Sequence, residues 1–153
     1  MATATTPADL TITPRKLNVG RDGTNPRWWH GGDPVATAFF NALSVTFPQG
    51  ETFFIEAVRR YRDDVDPVLK GQIDAFVQQE AMHTREHLVF NKLVRRAGYD
   101  TAAMDSHTRM RLDLARTRHP IGQLAMTVAG VERIVMIVRA LTTSLVRFDD
   151  MLR

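Results

Sequence analysis

Residues 66–98 read DPVLKGQIDAFVQQEAMHTREHLVFNKLVRRAG, and this stretch decides the fold. Asp66 is a favoured N-cap residue, and Pro67 suits the first helical position. Gly98 is placed to end the helix that begins there. The pattern therefore predicts one helix over 67–96, which would be about 45 Å long at 1.5 Å per residue. Such a length is far above the average for globular proteins and is typical of a helical bundle.

The rest of the chain carries similar signals for the starts and ends of helices. Asp33 and Pro34 repeat the Asp-Pro start, whereas the segment FPQG at 47–50 is expected to break the helical pattern. No segment shows clean strand alternation between hairpin turns, so we predict an all-α fold. The predicted helices cover residues 34–44, 50–64, 67–96, 102–117 and 120–148.

Two segments of different composition divide the chain. Residues 1–32 are rich in Thr, Pro, Gly, Asn and Arg and lack sustained periodicity, so we expect an extended N-terminal arm. Trp28 and Trp29 would pin this arm to the body. Residues 33–153 are expected to form a single helical bundle, since a chain of 153 residues can bury a sizeable core.

Composition and charge exclude several classes of function. The net charge of +3 comes from scattered arginine pairs without interleaved aromatic residues, which argues against a nucleic-acid site. The absence of cysteine excludes disulfides, thiolate metal sites and thiol nucleophiles. The N-terminus lacks the apolar segment of a secretory signal, and charges interrupt the most apolar stretch, 121–146, so no membrane span is expected. We predict a bacterial-type cytoplasmic protein.

A carboxylate and two imidazoles occupy the inward stripe of the predicted long helix. At about 100° per residue, Glu80, His83 and His87 lie within roughly 60° of one another, in phase with the apolar positions on either side. A carboxylate taken out of water needs a partner, and a metal cation best explains Glu-x-x-His on an inward face. We predict that Glu80 and His83 bind metal. For His87 three roles stay open, namely an extra ligand, a donor to a carboxylate, and an ordinary buried histidine.

Two further carboxylates are candidate ligands on neighbouring helices. Glu132 shares a helix face with Val128, so we expect it to point inward and to bind metal. Glu51 shares a face with Phe54 of the apolar stripe, whereas Glu56 precedes two arginines by three and four residues, as exposed ion pairs do. Glu51 is therefore the better ligand of the two, although the helix dipole alone would also favour a carboxylate in the first turn.

Other polar residues are expected away from the site. Loop and capping positions are predicted for Asp63, Asp64 and Asp66, and surface positions for His107 and His119. Large apolar side chains would line any pocket and favour a small, hydrophobic or acyl-like substrate. They are Phe39, Phe40, Phe53, Phe54 and Met82.

Several stretches of the chain, taken with these residues, carry a resemblance to a known family. They are AFFNALS at 38–44, FPQGETFF at 47–54, DPVL at 66–69, FVQQEAMH at 76–83, HLVFN at 87–91 and VAGVE at 128–132. The chain resembles a bacterial family described as predicted metal-dependent hydrolases, which looks ferritin-like. The resemblance implies a helical bundle of the di-iron carboxylate kind and an enzyme with chemistry at a metal centre. The implied ligands are Glu51, Glu80, His83 and Glu132 with His87 beside them, and the expected metal is iron or manganese, with zinc as the alternative.

One part of the family pattern has no counterpart in this sequence. The resembling proteins carry a second Glu-x-x-His-like set on a later helix, and no second Glu-x-x-His occurs here. Two metal ions in this scheme need about six protein ligands, and four or five can be named. We therefore expect a partial bundle that lacks its closing helix. The chain would be a truncated product or would take that helix from a partner, and it would hold two metal ions, one or none.

Two other functions stay open. His83, Glu86 and His87 also read H-x-x-E-H, the order of inverted zinc peptidases, in which two imidazoles bind zinc and the Glu is the general base. Glu132 would then be the distant ligand. Alternatively, the bundle is a non-catalytic module that dimerises or binds a partner helix through an exposed apolar flank, and the polar cluster is vestigial. No residue is assigned a catalytic role beyond metal binding.

Overall fold

A computed structural model of the chain describes residues 13–16 and 23–151, with side chains described for all of these except 135 and 138–151. Within these ranges the chain forms four α-helices and no strand. They are α1 (Pro34–Arg59), α2 (Pro67–Arg96), α3 (Ala102–Arg116) and α4 (Pro120–Met151). The all-α prediction is confirmed, and α2 has its predicted bounds. None of the described helices combines the length and apolarity that crossing a bilayer requires.

The Asp-Pro pairs start α1 and α2 as predicted. Asp33 and Asp66 each accept hydrogen bonds from the backbone N–H groups two and three residues on. Pro34 and Pro67 occupy the first helical positions, where a missing N–H has no cost. Gly98 follows α2 with φ of +88°, a left-handed conformation that glycine adopts without strain.

Helix α1 continues through the segment predicted to interrupt it. The prediction of a break at 47–50 is wrong, because Pro48 lies inside a single helix and is buried. Pro48 has no N–H for the carbonyl of Ser44, four residues earlier. The side chain of Asn91 on α2 supplies that donor at 3.0 Å. A tertiary hydrogen bond therefore replaces the helical one, and the helix does not need to end.

Helix α1 is central and packs against each of the other three described helices, most extensively against α2. The buried apolar side chains of these two helices are Val45, Phe53, Ala57, Ile73, Val77, Leu93 and Val94. Beside them runs a line of polar or imino residues at steps of four and three, which we name the buried seam of α1. It consists of Thr37, Asn41, Ser44, Pro48 and Glu51. The seam places several polar side chains in the core.

Trp29 ties the segment before α1 to the bundle. Its indole N–H donates to Asn41 Oδ1 at 2.9 Å, and its ring meets Phe90 edge-on with 5.3 Å between centroids. Trp28 packs edge-on against Tyr99. The predicted boundary of an extended arm at residue 32 stays a prediction, and its residues 1–12 and 17–22 lie outside the described part.

Helix α4 packs on α1, and its inward face carries small and polar residues. The face includes Gln123 and Thr127, which are buried, and Gly130, which lies close to Phe54. A Cβ at Gly130 would lie 2.9 Å from Cζ of Phe54, so the two helices approach closely there. Glu132 is about 200° around the helix from Gly130, and its side chain is exposed. The expectation that Glu132 points inward with Val128 is therefore wrong, and Val128 itself is 52% exposed.

Candidate metal centre

Helices α1 and α2 bring three of the predicted ligands together. Glu51 projects from the buried seam of α1, and Glu80 and His83 project from α2 one turn apart. One ligand atom from each of the three residues lies within 4.8 Å of the other two. We name Glu51, Glu80 and His83 the metal group. Within it, His83 Nδ1 is 4.0 Å from Glu80 Oε2. Two carboxylates and an imidazole are a donor set that suits a divalent transition-metal ion.

Burial makes both carboxylates of the metal group hard to ionise without a cation. It raises the pKa of Glu51 from 4.5 to about 7. The Thr84 hydroxyl donates to Glu51 Oε2 at 2.9 Å and lowers this pKa, whereas the charge of Glu80 raises it further. Burial also raises the pKa of Glu80, against an opposing effect of His83. Neither carboxylate forms an ion pair with a described lysine or arginine. A metal cation between them would supply the counter-charge.

His87 lies beside the metal group, one turn beyond His83. Its Nε2 is 3.8 Å from Glu51 Oε1, and the ring of Phe47 meets the imidazole edge-on at 4.5 Å between centroids. Burial, followed by the charge of His83, lowers the pKa of His87 from 6.5 to about 4. The imidazole is therefore neutral near pH 7, which is the state in which histidine binds metals.

His83 is the most exposed member of the group, with 48% of its side chain accessible. Its Nε2 is 2.8 Å from Nε2 of Gln79, and Oε1 of the same amide accepts a hydrogen bond from the backbone N–H of Arg15. The ring is thus held from its outer edge. Its other nitrogen, Nδ1, is the one directed towards Glu80.

Ser44 and Asn91 form a buried polar pair behind His87 that sequence reasoning missed. Ser44 Oγ is 2.8 Å from His87 Nδ1 and 2.8 Å from Asn91 Oδ1. The positions of these two residues relative to the predicted ligands could have indicated the pair. Asn91 stands four residues after His87 on the ligand stripe of α2, and Ser44 stands seven residues before Glu51 on α1.

A cavity of about 860 Å³ opens beside the metal group, and Glu51, Glu80, His83 and His87 lie on its wall. Most of the remaining lining is apolar, including Phe39, Phe47, Phe54, Met104, Leu112, Val131 and Ile134. Of the five apolar residues expected at a pocket, two line the cavity, and Phe40, Phe53 and Met82 do not. An apolar cavity of this volume is within the range of small-molecule sites.

Helix α3 contributes two basic side chains to the lining of the same cavity. His107 and Arg111 are one turn apart and exposed, and both line the cavity. Arg111 forms no hydrogen bond or ion pair with any residue that the structure describes, whereas Arg116 on the same helix bonds to Glu56 at 2.8 Å. The surface position expected for His107 is correct. Its place at a cavity could not be read from α3 alone, because α1, α2 and α4 supply the other walls.

A comparison with protein families gives one match. A family model described as "Predicted metal-dependent hydrolase" matches residues 13–144. The chain belongs to this family. The resemblance inferred from the sequence is confirmed by the match, which spans α1, α2, α3 and the whole metal group. No curated protein and no solved structure matches the chain.

Membership of the metal-dependent hydrolase family implies a metal ion, and the residues present fit one. Three protein ligands with an open position are the arrangement of many catalytic zinc sites. The buried Glu51 and the half-buried Glu80, neither of which has a lysine or arginine partner among the described residues, also favour a cation. Glu132, a ligand predicted both from its helix face and from the resemblance, is exposed and lies outside the group of three, and its role as a ligand stays a prediction.

Glu86, the base of the H-x-x-E-H interpretation, is not among the residues that line the cavity. Its Oε1 accepts a hydrogen bond from Arg85 at 2.8 Å. The carboxylate of α2 that joins the metal group is Glu80. The inverted zinc interpretation therefore places its general base away from the cluster in which the ion would bind.

Proposed function

We propose that the protein binds a divalent metal ion through Glu51, Glu80 and His83, with His87 adjacent, and uses it to hydrolyse a small molecule with an apolar body. One observation carries the proposal: a buried carboxylate, a half-buried carboxylate and the imidazole converge at the wall of an apolar cavity without a lysine or arginine partner among the described residues. Family membership supports metal-dependent hydrolysis.

The residues of the site have separable roles in this proposal. A divalent cation, when bound, supplies Lewis-acid catalysis for hydrolysis. Glu51 and Glu80 provide the negative charge that holds it, and the Thr84 hydroxyl orients Glu51 through its 2.9 Å hydrogen bond. The phenylalanines on the cavity wall bind the apolar part of the substrate and exclude bulk water, which strengthens electrostatic interactions at the reacting bond.

A ferritin-like di-iron centre is the second candidate, and the sequence pattern of two helices favours it. Glu51 from α1 and the Glu-x-x-His of α2 match half of a carboxylate-bridged two-metal set. Such a set needs about six protein ligands, and the described residues bring together three with His87 beside them. We therefore propose one ion per chain first, of iron, manganese or zinc, and a pair of irons second.

Metal content distinguishes these arrangements directly. Elemental analysis of protein purified from its native host should give about one ion per chain for the hydrolytic centre and about two irons for the di-iron centre. Glu80→Ala and His83→Ala should each abolish metal uptake with helix content retained by circular dichroism. Glu56→Ala is the matched control, because it removes a carboxylate of α1 that pairs with Arg116. Metal content that is the same in all variants, or absent from the wild type, would reject the site.

The reaction class is tested with simple probes. Protein loaded with Zn²⁺ or Mn²⁺ should hydrolyse p-nitrophenyl esters of medium-chain acids, and Glu80→Ala should abolish this hydrolysis. Oxygen consumption by the ferrous protein without ester hydrolysis would favour the di-iron candidate instead.

Exposed apolar side chains support assembly with a second copy or a partner helix. They lie on α3 and α4 and include Met110, Leu114, Ile121, Val128 and Met136. A non-catalytic dimerisation module would show a concentration-dependent mass in analytical ultracentrifugation together with no metal and no hydrolysis. The bacterial cytoplasmic location stays a prediction.

A further inference from the structure

The orientation of the Asn91 amide is fixed by the proline inside α1. Pro48 has no N–H, so the Ser44 carbonyl has no donor from its own helix at that position, and Asn91 Nδ2 donates to it at 3.0 Å. The opposite amide orientation would set two acceptor oxygens against each other. Asn91 Oδ1 therefore faces Ser44 Oγ, at 2.8 Å. Both side chains are buried, and an unpaired polar atom there would be costly.

The single hydrogen of the Ser44 hydroxyl is used by Asn91. Because Asn91 Oδ1 can only accept, the hydroxyl must donate to it. Ser44 Oγ can then meet His87 Nδ1, which is 2.8 Å away, only as an acceptor. In the neutral imidazole this puts the hydrogen on Nδ1 and leaves a lone pair on Nε2. Nε2 is the nitrogen that faces Glu51 Oε1, at 3.8 Å.

We infer that Ser44 and Asn91 are positioning residues of the metal centre, which hold His87 in the Nδ1–H tautomer and present its Nε2 lone pair as a further metal donor. Pro48 belongs to the same arrangement, because it frees the carbonyl that orients Asn91. Metal-binding imidazoles in proteins almost always donate their second N–H to a fixed acceptor. The donor role of His87 rests on the proposed function, whereas its tautomer does not.

The tautomer is measured by ¹⁵N NMR of the imidazole nitrogens in the metal-free protein near neutral pH. The wild type should show a protonated Nδ1 and an unprotonated Nε2 at His87. Ser44→Ala removes the acceptor of Nδ1–H, and Asn91→Leu releases the hydroxyl hydrogen towards Nδ1, so both should shift His87 towards the Nε2–H form. An Nε2–H wild type, or two variants that keep the wild-type pattern, would overturn the inference.

Thr52→Val is the matched control for loss of a hydroxyl. Thr52 Oγ1 donates to the Pro48 carbonyl at 2.7 Å on the same helix and does not line the cavity. This variant should keep the His87 tautomer of the wild type. Circular dichroism checks that all three variants remain folded.

Titration with Zn²⁺ tests the donor role separately. Ser44→Ala should weaken Zn²⁺ binding by about tenfold to a hundredfold, as changes behind a metal ligand do, whereas Thr52→Val should leave it within about twofold. An altered tautomer with unchanged Zn²⁺ affinity would overturn the donor role. A wild type that binds no Zn²⁺ would overturn both that role and the proposed function, while the NMR result still decides the tautomer.

Discussion

The buried Glu51 and the half-buried His87 lie side by side and have opposite pKa shifts. Burial raises the pKa of Glu51 from 4.5 to about 7 and lowers the pKa of His87 from 6.5 to about 4. Without a metal ion, the folded state therefore favours a protonated Glu51 and a neutral His87. The contribution of Glu51 to the free energy of unfolding is complete below pH 4.5, where the carboxyl is protonated, and is lost as the pH rises to 7. That of His87 is complete above pH 6.5 and is lost as the pH falls to 4.

Because these two effects oppose each other over nearly the same pH range, removing one should expose the other. In metal-free Glu51→Gln, the free energy of unfolding should rise from pH 4 to 6.5, by no more than about 3 kcal/mol at 1.36 kcal/mol per pKa unit, because the raised pKa of Glu80 offsets part of the effect of His87. Urea denaturation in the presence of a chelator measures it. Glu56→Gln is the control, since that carboxylate of α1 is outside the metal group and should leave the wild-type pH profile unchanged. A fall in the stability of Glu51→Gln over this range would contradict the pKa assignment.

At the scale of single elements, α1 tolerates its internal proline because α2 supplies a hydrogen bond. Pro48→Ala restores an N–H that must compete with Asn91 for the Ser44 carbonyl. The gain in the free energy of unfolding should therefore be smaller than the cost of about 3 kcal/mol for proline in a helix interior. In an Asn91→Leu background the carbonyl has no donor, and the same change should stabilise more, with a coupling of about 1 kcal/mol. Urea denaturation of the four proteins measures this coupling, and equal effects in both backgrounds would disprove the link.

The contact between α4 and α1 depends on a glycine. A Cβ at Gly130 would lie 2.9 Å from Phe54 Cζ, so Gly130→Ala should cost about 1–3 kcal/mol through overpacking. Helix propensity returns up to about 1 kcal/mol, so the net destabilisation should be up to about 2 kcal/mol. Gly122 on the same helix has only an ordinary contact, 3.8 Å from Arg118 Cβ, and Gly122→Ala should stabilise by up to about 1 kcal/mol through helix propensity. Thermal denaturation compares the two variants. Equal shifts in Tm would mean that the close contact between Gly130 and Phe54 does not destabilise the alanine variant.

Features that follow local rules were predictable from the sequence. The bounds of α2 follow from Asp66 at its start and Gly98 at its end, and helical phase was enough to put Glu80 and His83 on one face. The continuity of α1 was not predictable, because the donor that replaces the missing N–H of Pro48 comes from another helix. Features that arise from contacts between helices therefore could not be predicted from the local sequence pattern.

Glu132 shows the same limit for a site residue. Apolar neighbours at helical spacing predicted an inward face, but α4 packs through Gln123, Thr127 and Gly130 instead. Small and polar residues allow the closer approach of helices there, and hydrophobicity alone cannot identify such a face. The error at Glu132 thus came from the choice of packing face, and the helix itself was predicted correctly.

At the scale of the whole molecule, the helices line a cavity with two polar regions, one of carboxylates and imidazoles and one that includes a guanidinium. The metal group on α1 and α2 supplies carboxylates, and α3 supplies His107 and Arg111. Arg111 has no partner among the described residues, so its charge is available to a ligand. An apolar molecule with an acidic group fits this distribution, because its chain can occupy the apolar wall while its carboxylate meets the guanidinium.

Arg111 should therefore make the cavity selective for acids over alcohols of the same chain length. In metal-free protein, Arg111→Gln should weaken binding of decanoate by about 1.5- to fivefold, the range expected for a solvent-exposed charged pair, and leave binding of 1-decanol unchanged. Isothermal titration calorimetry measures both ligands. Arg109→Gln is the matched control, because Arg109 is exposed on α3 but does not line the cavity. Equal losses for the acid and the alcohol, or an equal effect of Arg109→Gln, would show that the basic wall does not select the ligand and that only its apolar surface binds.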